Sequence, residues 1–381
     1  MTATRTPVPA PARLAPLALG GLSLLGGAYA ALLLLGLRLP LPRPELDAVH
    51  GPVMVLGFVG TLVAMERAVA LGTRWALLAP ACAGVGGLLL LGLGPTLPGK
   101  LLLAAAGAAF LMVYRALWRR QPSVALLAQA AGAFSWYAAA LLWAGGFSVA
   151  ETVPWLVGFV VLTIAGERLE LARIALPRGA EPAFLAVLAL MVAAMTATTL
   201  WPGPGHQLLG LALLAIVGWL LRYDVAWRTV RMRGLPRYVA VGLLAGYAWL
   251  AVAALLWAGA GPSDGGARYD AVLHAVFLGF TMSMIFVHAP VILPATLRLP
   301  LPYHPVLYAP LVLLHLGLLA RLGLGDLFGL EAAWRWSGVA NVVAVLGFVA
   351  SAATLSVRAV RLARRPSARP LPPALVGEVR R

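Results

Sequence analysis

The sequence predicts an all-α integral membrane protein: twelve transmembrane helices in three four-helix repeats with pseudo-threefold character. Three observations lead there. Of 381 residues, 61% are apolar and 11% charged, a balance foreign to a water-soluble domain of this length. A spanning helix needs about 20 apolar residues at about 1.5 Å rise each. Twelve such stretches are centred near Leu25, Gly60, Val85, Gly107, Ala138, Val161, Ala189, Leu213, Leu250, Gly279, Leu313 and Val345. The third observation is a recurring phrase. Gly57-Phe58-Val59 precedes Glu66-Arg67, Gly158-Phe159-Val160 precedes Glu167-Arg168 at the same offset, and Gly279-Phe280 recurs with His288 where the glutamate stood. Each copy falls in the second stretch of a block of four. The repeats are therefore set at 1–122, 123–236 and 237–365, one membrane domain followed by a basic cytoplasmic tail, 366–381.

Along the chain, the first stretch follows a short leader containing Arg and Pro; it is too long for a signal-peptide core and is expected to be retained. The second opens with Asp47 and His50. The third carries the sole cysteine, Cys82, which excludes an intrachain disulfide, a Cys-ligated iron–sulfur cluster and Cys-X-X-Cys-His haem attachment. Any haem must then be non-covalent. The sixth stretch brings Glu167. His206 stands in a Pro-Gly-rich turn before the eighth and is expected at the surface. The tenth begins with Asp270 and His274 and continues to His288. Pro290, Pro294, Pro302 and Pro305 surround His288 and His304, implying irregular backbone that must face protein or water. His315 lies inside the eleventh stretch, as a ligand or as a hydrogen-bonding partner between helices. The twelfth leads into an arginine- and proline-rich tail, expected to be a partly disordered, lipid-facing end.

Orientation follows from basic residues, because loops rich in Lys and Arg stay in the cytoplasm. Alternating helices put Arg5, Arg13, Arg67, Arg74, Arg115, Arg119, Arg120, Arg168, Arg173, Arg178, the Arg222 to Arg237 cluster, Arg298 and the tail on one side. Arg38, Arg43, Lys100, Arg268, Arg321 and Arg335 are left on the other. Both termini are then cytoplasmic, in a bacterial inner (plasma) membrane. The net charge of +16 suits an inner surface facing anionic lipid of the bilayer rather than nucleic acid.

Six histidines matter most, since a polar ring in hydrocarbon is costly unless paired or ligated. His50 follows Asp47 by three residues and His274 follows Asp270 by four, which sets each on the order of 5 Å inside the outer boundary. Matched depth on two helices is what an iron with two axial imidazoles requires. Gly51, Gly57 and Gly60 offer small surfaces to a macrocycle. The plain alternative is that both rings hydrogen-bond at the interface. On an ideal helix His288 lies about 21 Å deeper than His274 and roughly 40° around the axis. This His-X13-His spacing also resembles dihaem cytochrome b, although no second helix carries a matching pair.

At the inner end the repeat gathers Glu66, Glu167 and His288, joined by His304. These groups can bind a metal or carry protons. Each glutamate also precedes an arginine, so the pairs can instead snorkel or bridge helices. Met54, Met65, Met282 and Met284 are soft-metal candidates whose ordinary role is core packing. The twelve tryptophans suit interface anchoring, with Trp136, Trp249 and Trp257 as candidate haem neighbours.

The segment His50-Gly51-Pro52-Val53-Met54-Val55-Leu56-Gly57-Phe58-Val59-Gly60 resembles a signature of NnrS proteins, haem- and copper-containing membrane proteins linked to nitric oxide metabolism. Ala165-Gly166-Glu167-Arg168, Gly246-Tyr247-Ala248-Trp249 and Leu273-His274-Ala275-Val276 resemble further motifs of that family. Its layout is similar to the catalytic subunit of haem–copper oxidases, whose second, sixth and tenth helices supply ligands. The resemblance implies haem b held by His50 and His274 with Gly57 and Met54 nearby, and copper as a candidate. It also implies nitric oxide or another diatomic gas as ligand and a respiratory or nitric oxide reductase partner. Pro52 stands where that signature has a second histidine, and the sixth stretch has none, so a three-histidine copper centre does not carry over. A proton- or metal-coupled transporter or channel without haem is the alternative, with a scaffold of a reductase complex as a third reading. Whether the chain is an enzyme stays open. No nucleotide loop or nucleophile triad is visible.

Overall fold

The computed structural model describes residues 10–40, 45–173 and 176–363. The tail assigned to 366–381, with Arg5 and Arg43, lies outside the described residues. All regular structure among the described residues is helical. Twelve helices are long and apolar enough to cross a membrane: α1 Ala12–Leu34, α2 Glu45–Leu71, α3 Arg74–Leu93, α4 Leu97–Trp118, α5 Val124–Ala144, α6 Val149–Ala172, α7 Ala180–Leu200, α8 Pro202–Tyr223, α9 Leu235–Ala260, α10 Gly266–Leu297, α11 Pro305–Leu327 and α12 Glu331–Ala363.

Local chemistry sets their ends. Ser148 caps α6, its hydroxyl accepting from the Glu151 N–H at 3.2 Å while the Glu151 carboxylate accepts from the Ser148 N–H at 2.7 Å, which satisfies two otherwise orphaned donors. Gly72 closes α2 at φ 74°, a left-handed position that costs a glycine little. Pro202 occupies the first turn of α8, where a missing N–H is harmless. The Pro-Gly run around His206 is accordingly helix, and the ring is buried rather than at the surface, 8% exposed, edge-on to Trp257 at 5.5 Å.

Helices adjacent in sequence pack side by side from α1 to α12, and α12 returns against α1. Helices α2, α6 and α10 touch one another pairwise. They are also the most enclosed, with 67%, 78% and 61% of their most apolar stretch buried against 33% for α1 and α7. Between Thr152 and Gly166 helix α6 carries no charged residue on any face, the composition of a helix surrounded by others. Small residues permit the closest approaches. Gly57 meets Gly87 of α3, and Gly60 lies beneath the Trp136 ring of α5. Gly210 of α8 meets the backbone of α9: a Cβ built there would fall 2.6 Å from the Ala254 carbonyl oxygen. Gly210→Val is therefore expected to cost about 1–3 kcal/mol through forced separation of these helices, read as a lower thermal midpoint in detergent.

Three stretches depart from α-helical spacing. Val53–Val59 in α2, His274–Met282 in α10 and Arg321–Leu327 in α11 are π-helical. In α2 the widening follows Pro52, and the Gly60 N–H donates to the Val55 carbonyl, five residues back. In α10 the Thr281 hydroxyl donates to Val276, also five back, at 3.0 Å. Of the irregular backbone expected around the four prolines, the part near Pro302 and His304 is present, residues 298–304 being non-helical, and the part at Pro290 and Pro294 is not. Helix α10 runs through Pro290 and Pro294 to Leu297, and only then does Arg298, at φ 58° and ψ 23°, turn the chain out.

Candidate functional site

His50 and His274 lie within electrostatic range of each other, with Asp270 and Arg321 beside them. The His50 Nδ1 is 2.9 Å from the Gly27 carbonyl oxygen of α1. His274 Nδ1 is 2.8 Å from the Asp270 carbonyl oxygen and 3.2 Å from its carboxylate Oδ1. A carbonyl only accepts, so Nδ1 carries the proton in each ring and Nε2 holds the lone pair. Both imidazoles are thus fixed in the tautomer suited to ligating through Nε2, the orientation that outer hydrogen bonds impose on ligand histidines.

Asp270 is itself held. Arg321 of α11 reaches its Oδ2 through Nε at 2.7 Å and its Oδ1 through Nη2 at 2.8 Å, and Trp334 Nε1 of α12 donates to Oδ2 at 3.2 Å. The carboxylate behind His274 therefore ties α10, α11 and α12 together. His50 starts the turn that leads into one π-helical stretch, His274 begins the second, and Arg321 begins the third. Such wide turns recur at functional positions.

Other expected contributors to this end have different neighbours. A Cβ on Gly51 would meet nothing within 4 Å, whereas Gly57 and Gly60 are taken up by helix packing. Met54 lies against Gly27. Trp136 is fully buried, donates to the Leu103 carbonyl at 3.0 Å and packs on Phe110 and Phe159. Trp249 donates to His315 Nδ1 at 3.0 Å, leaving that ring's Nε2 3.4 Å from Ser283. His315 is a link between α9, α10 and α11.

The opposite end holds two joined ionic groups. Arg67 Nη2 lies 2.8 Å from Glu66 Oε1 and 3.1 Å from Glu167 Oε1, with Glu170 at 3.9 Å from Nη1. One guanidinium thus bridges the glutamates of the first two copies of the repeat. Arg168 has another partner: it grips Asp224 through Nε at 2.7 Å and Nη2 at 3.0 Å, while Nη1 stands 3.5 Å from His288 Nε2. Tyr247 adds a hydroxyl to Asp224 at 2.8 Å, and His288 Nδ1 is 2.8 Å from the Met284 carbonyl oxygen. His304 is outside this group. Its ring is exposed and caps Pro305–Leu307, accepting from the Val306 N–H at 3.1 Å. Among the described residues no three His, Cys, Asp or Glu side chains gather closely enough to hold a metal ion.

The π-helical stretch between His274 and His288 voids the ideal-helix count of 100° per residue, so the angular relation expected for them does not apply. His288 instead lines a cavity of about 780 Å³, with Glu66 and Glu167, walled by α1, α2, α6, α10 and α12.

The family described as Domain of unknown function (DUF8744) matches residues 13–357. The chain belongs to that family. The DUF8744 match runs from Arg13 in α1 to Val357 in α12, so the histidine pair, the bridged glutamates and all of the cavity lining but Val360 and Arg361 lie inside it. No curated protein and no solved structure matches the chain.

Proposed function

We propose that this chain is a haem b-binding membrane protein of NnrS type, acting in the nitric oxide response or in denitrification-linked respiratory redox chemistry, with His50 and His274 as axial ligands. The observation that carries the reading is the paired tautomer: two neighbouring imidazoles from α2 and α10, each with Nδ1 anchored on a carbonyl and Nε2 left with its lone pair. The donor set fits a bis-histidine iron, and Asp270 with Arg321 supplies the outer support that ligand histidines ordinarily have. A haem held by these two histidines would supply one-electron transfer. The residues of this chain hold the two rings and fix their protons.

The central position of α2, α6 and α10 supports a threefold arrangement of four-helix blocks. The arginine asymmetry supports a bacterial inner membrane with both termini cytoplasmic, which places the histidine pair near the periplasmic leaflet. The test is optical. Protein purified from haem-sufficient cells is expected to give a b-type reduced-minus-oxidised spectrum with about one haem per chain. Folded, monodisperse protein with no such signal would remove the proposal.

A further inference from the structure

The cavity near Glu66, Glu167 and His288 presents an unusual set of polar groups. Its walls are mainly apolar, with Phe58, Phe159, Phe286 and Phe348 among them. The polar atoms around Glu66, Glu167 and His288 are acceptors, while Ser356 and Arg361 line the cavity from the α12 side. Arg67 meets the two glutamates through Oε1 of each, so a second carboxylate oxygen remains on both. His288 Nδ1 donates to Met284, so its Nε2 accepts, with Arg168 Nη1 facing it at 3.5 Å. Thr163 and Thr281 also line the space, and their hydroxyl protons are committed to the carbonyls of Phe159 at 2.7 Å and Val276 at 3.0 Å. What each threonine has left to offer is a lone pair.

A lining of this kind selects its ligand. Anionic heads are disfavoured beside Glu66 and Glu167, because the two carboxylates share one arginine and a third, Glu170, stands close by, whereas Arg361 lies at the α12 rim. A hydrogen-bond donor is needed to satisfy the acceptors, since polar groups left unpaired in such surroundings are costly. Aromatic walls suit a flat ring. The space opens past the exposed Val349 and Val357 of α12 and Leu299 after α10, an apolar rim suited to a tail. A neutral aromatic ring bearing hydroxyl donors and an apolar tail meets every condition. The oxidised form of the same molecule does not, because its carbonyls can only accept.

We propose that the cavity lined by Glu66, Glu167 and His288 binds a lipid-soluble hydroquinone, its two hydroxyls donating to the Glu66 and Glu167 carboxylates and its tail leaving between α10 and α12. This goes beyond the haem reading and does not rest on it, since the acceptors belong to other residues at the other end of α2 and α10.

The test titrates the purified full-length protein anaerobically with a decyl-tailed benzohydroquinone and, separately, with the matching benzoquinone, following tryptophan fluorescence. The hydroquinone is expected to bind saturably and at least about tenfold more tightly than the quinone, a gap the size of one lost buried hydrogen bond. Ala289→Phe, which fills the cavity, is expected to weaken binding at least about tenfold. Thr163→Val removes an acceptor without changing volume and is expected to weaken it less. It carries the test if the larger substitution fails to fold. Equal affinity for the two redox forms, undiminished binding in both variants, or displacement by phospholipid alone through Arg361 at the rim would each overturn the proposal. The readout is independent of iron content, so failure here and failure of the haem spectrum are separate results.

Discussion

Replacing Asp224 by alanine is expected to destabilise the folded chain by about 3–5 kcal/mol, the usual cost of stranding one member of a buried ion pair. Asp224 accepts four hydrogen bonds: two from Arg168, one from the Tyr247 hydroxyl and one from the Ala226 N–H at 2.8 Å. Its side chain is 2% exposed and that of Arg168 6%, so solvent cannot take over. The pair also fastens the α8–α9 connection to the central helix α6. Asp224→Asn keeps acceptor atoms and shape, and is expected to lose less. Replacing both partners by apolar residues should recover part of the loss, because the stranded charge disappears with the pair. Thermal unfolding followed by size-exclusion chromatography reads all three. Equal stability of Asp224→Ala and the parent protein would show that the pair contributes nothing.

The second large effect concerns the histidines. His50→Ala and His274→Ala are each expected to abolish the b-type signal or reduce haem retention to a small fraction of the parent value, because six-coordinate iron depends on both axial nitrogens. The two substitutions should act alike. His288→Ala, whose ring lies at the other end of α10, should leave the spectrum intact. Loss of the signal in His288→Ala with retention in the other two would move the iron to the inner cavity and overturn the axial assignment.

Much of the architecture was legible in the chain because hydrophobic length is a local property. Twelve apolar stretches became twelve helices, and the recurring Gly-Phe phrase falls on the three most enclosed ones. That His50 and His274 stand near the starts of α2 and α10 was readable for the same reason. Their surroundings were not. Asp270 served as a depth marker in the sequence, yet in the fold it is the group behind His274. Its partner Arg321 lies 51 residues away, beyond any local pattern. Asp224 was invisible because it stands just past the end of α8, where a carboxylate reads as a surface residue. The Glu-Arg phrase also concealed a difference. Arg67 gathers glutamates while Arg168 turns away to Asp224, and no spacing rule separates two identical dipeptides. His206 was misplaced because Pro-Gly pairs signal turns, although a proline is equally at home in a helix's first turn.

The wide turns in α2 and α10 have a bearing on chain length. A π-helical stretch absorbs an extra residue without rotating the rest of the rod by the usual angle. Excising one residue between Pro52 and Gly60, or between Leu273 and Ser283, would let ordinary spacing return there with the His50 and His274 rings facing as before, whereas the same excision in an ordinary α-helical turn would swing everything beyond it by about 100°. These two segments are therefore where α2 and α10 can change length without re-aiming their imidazoles.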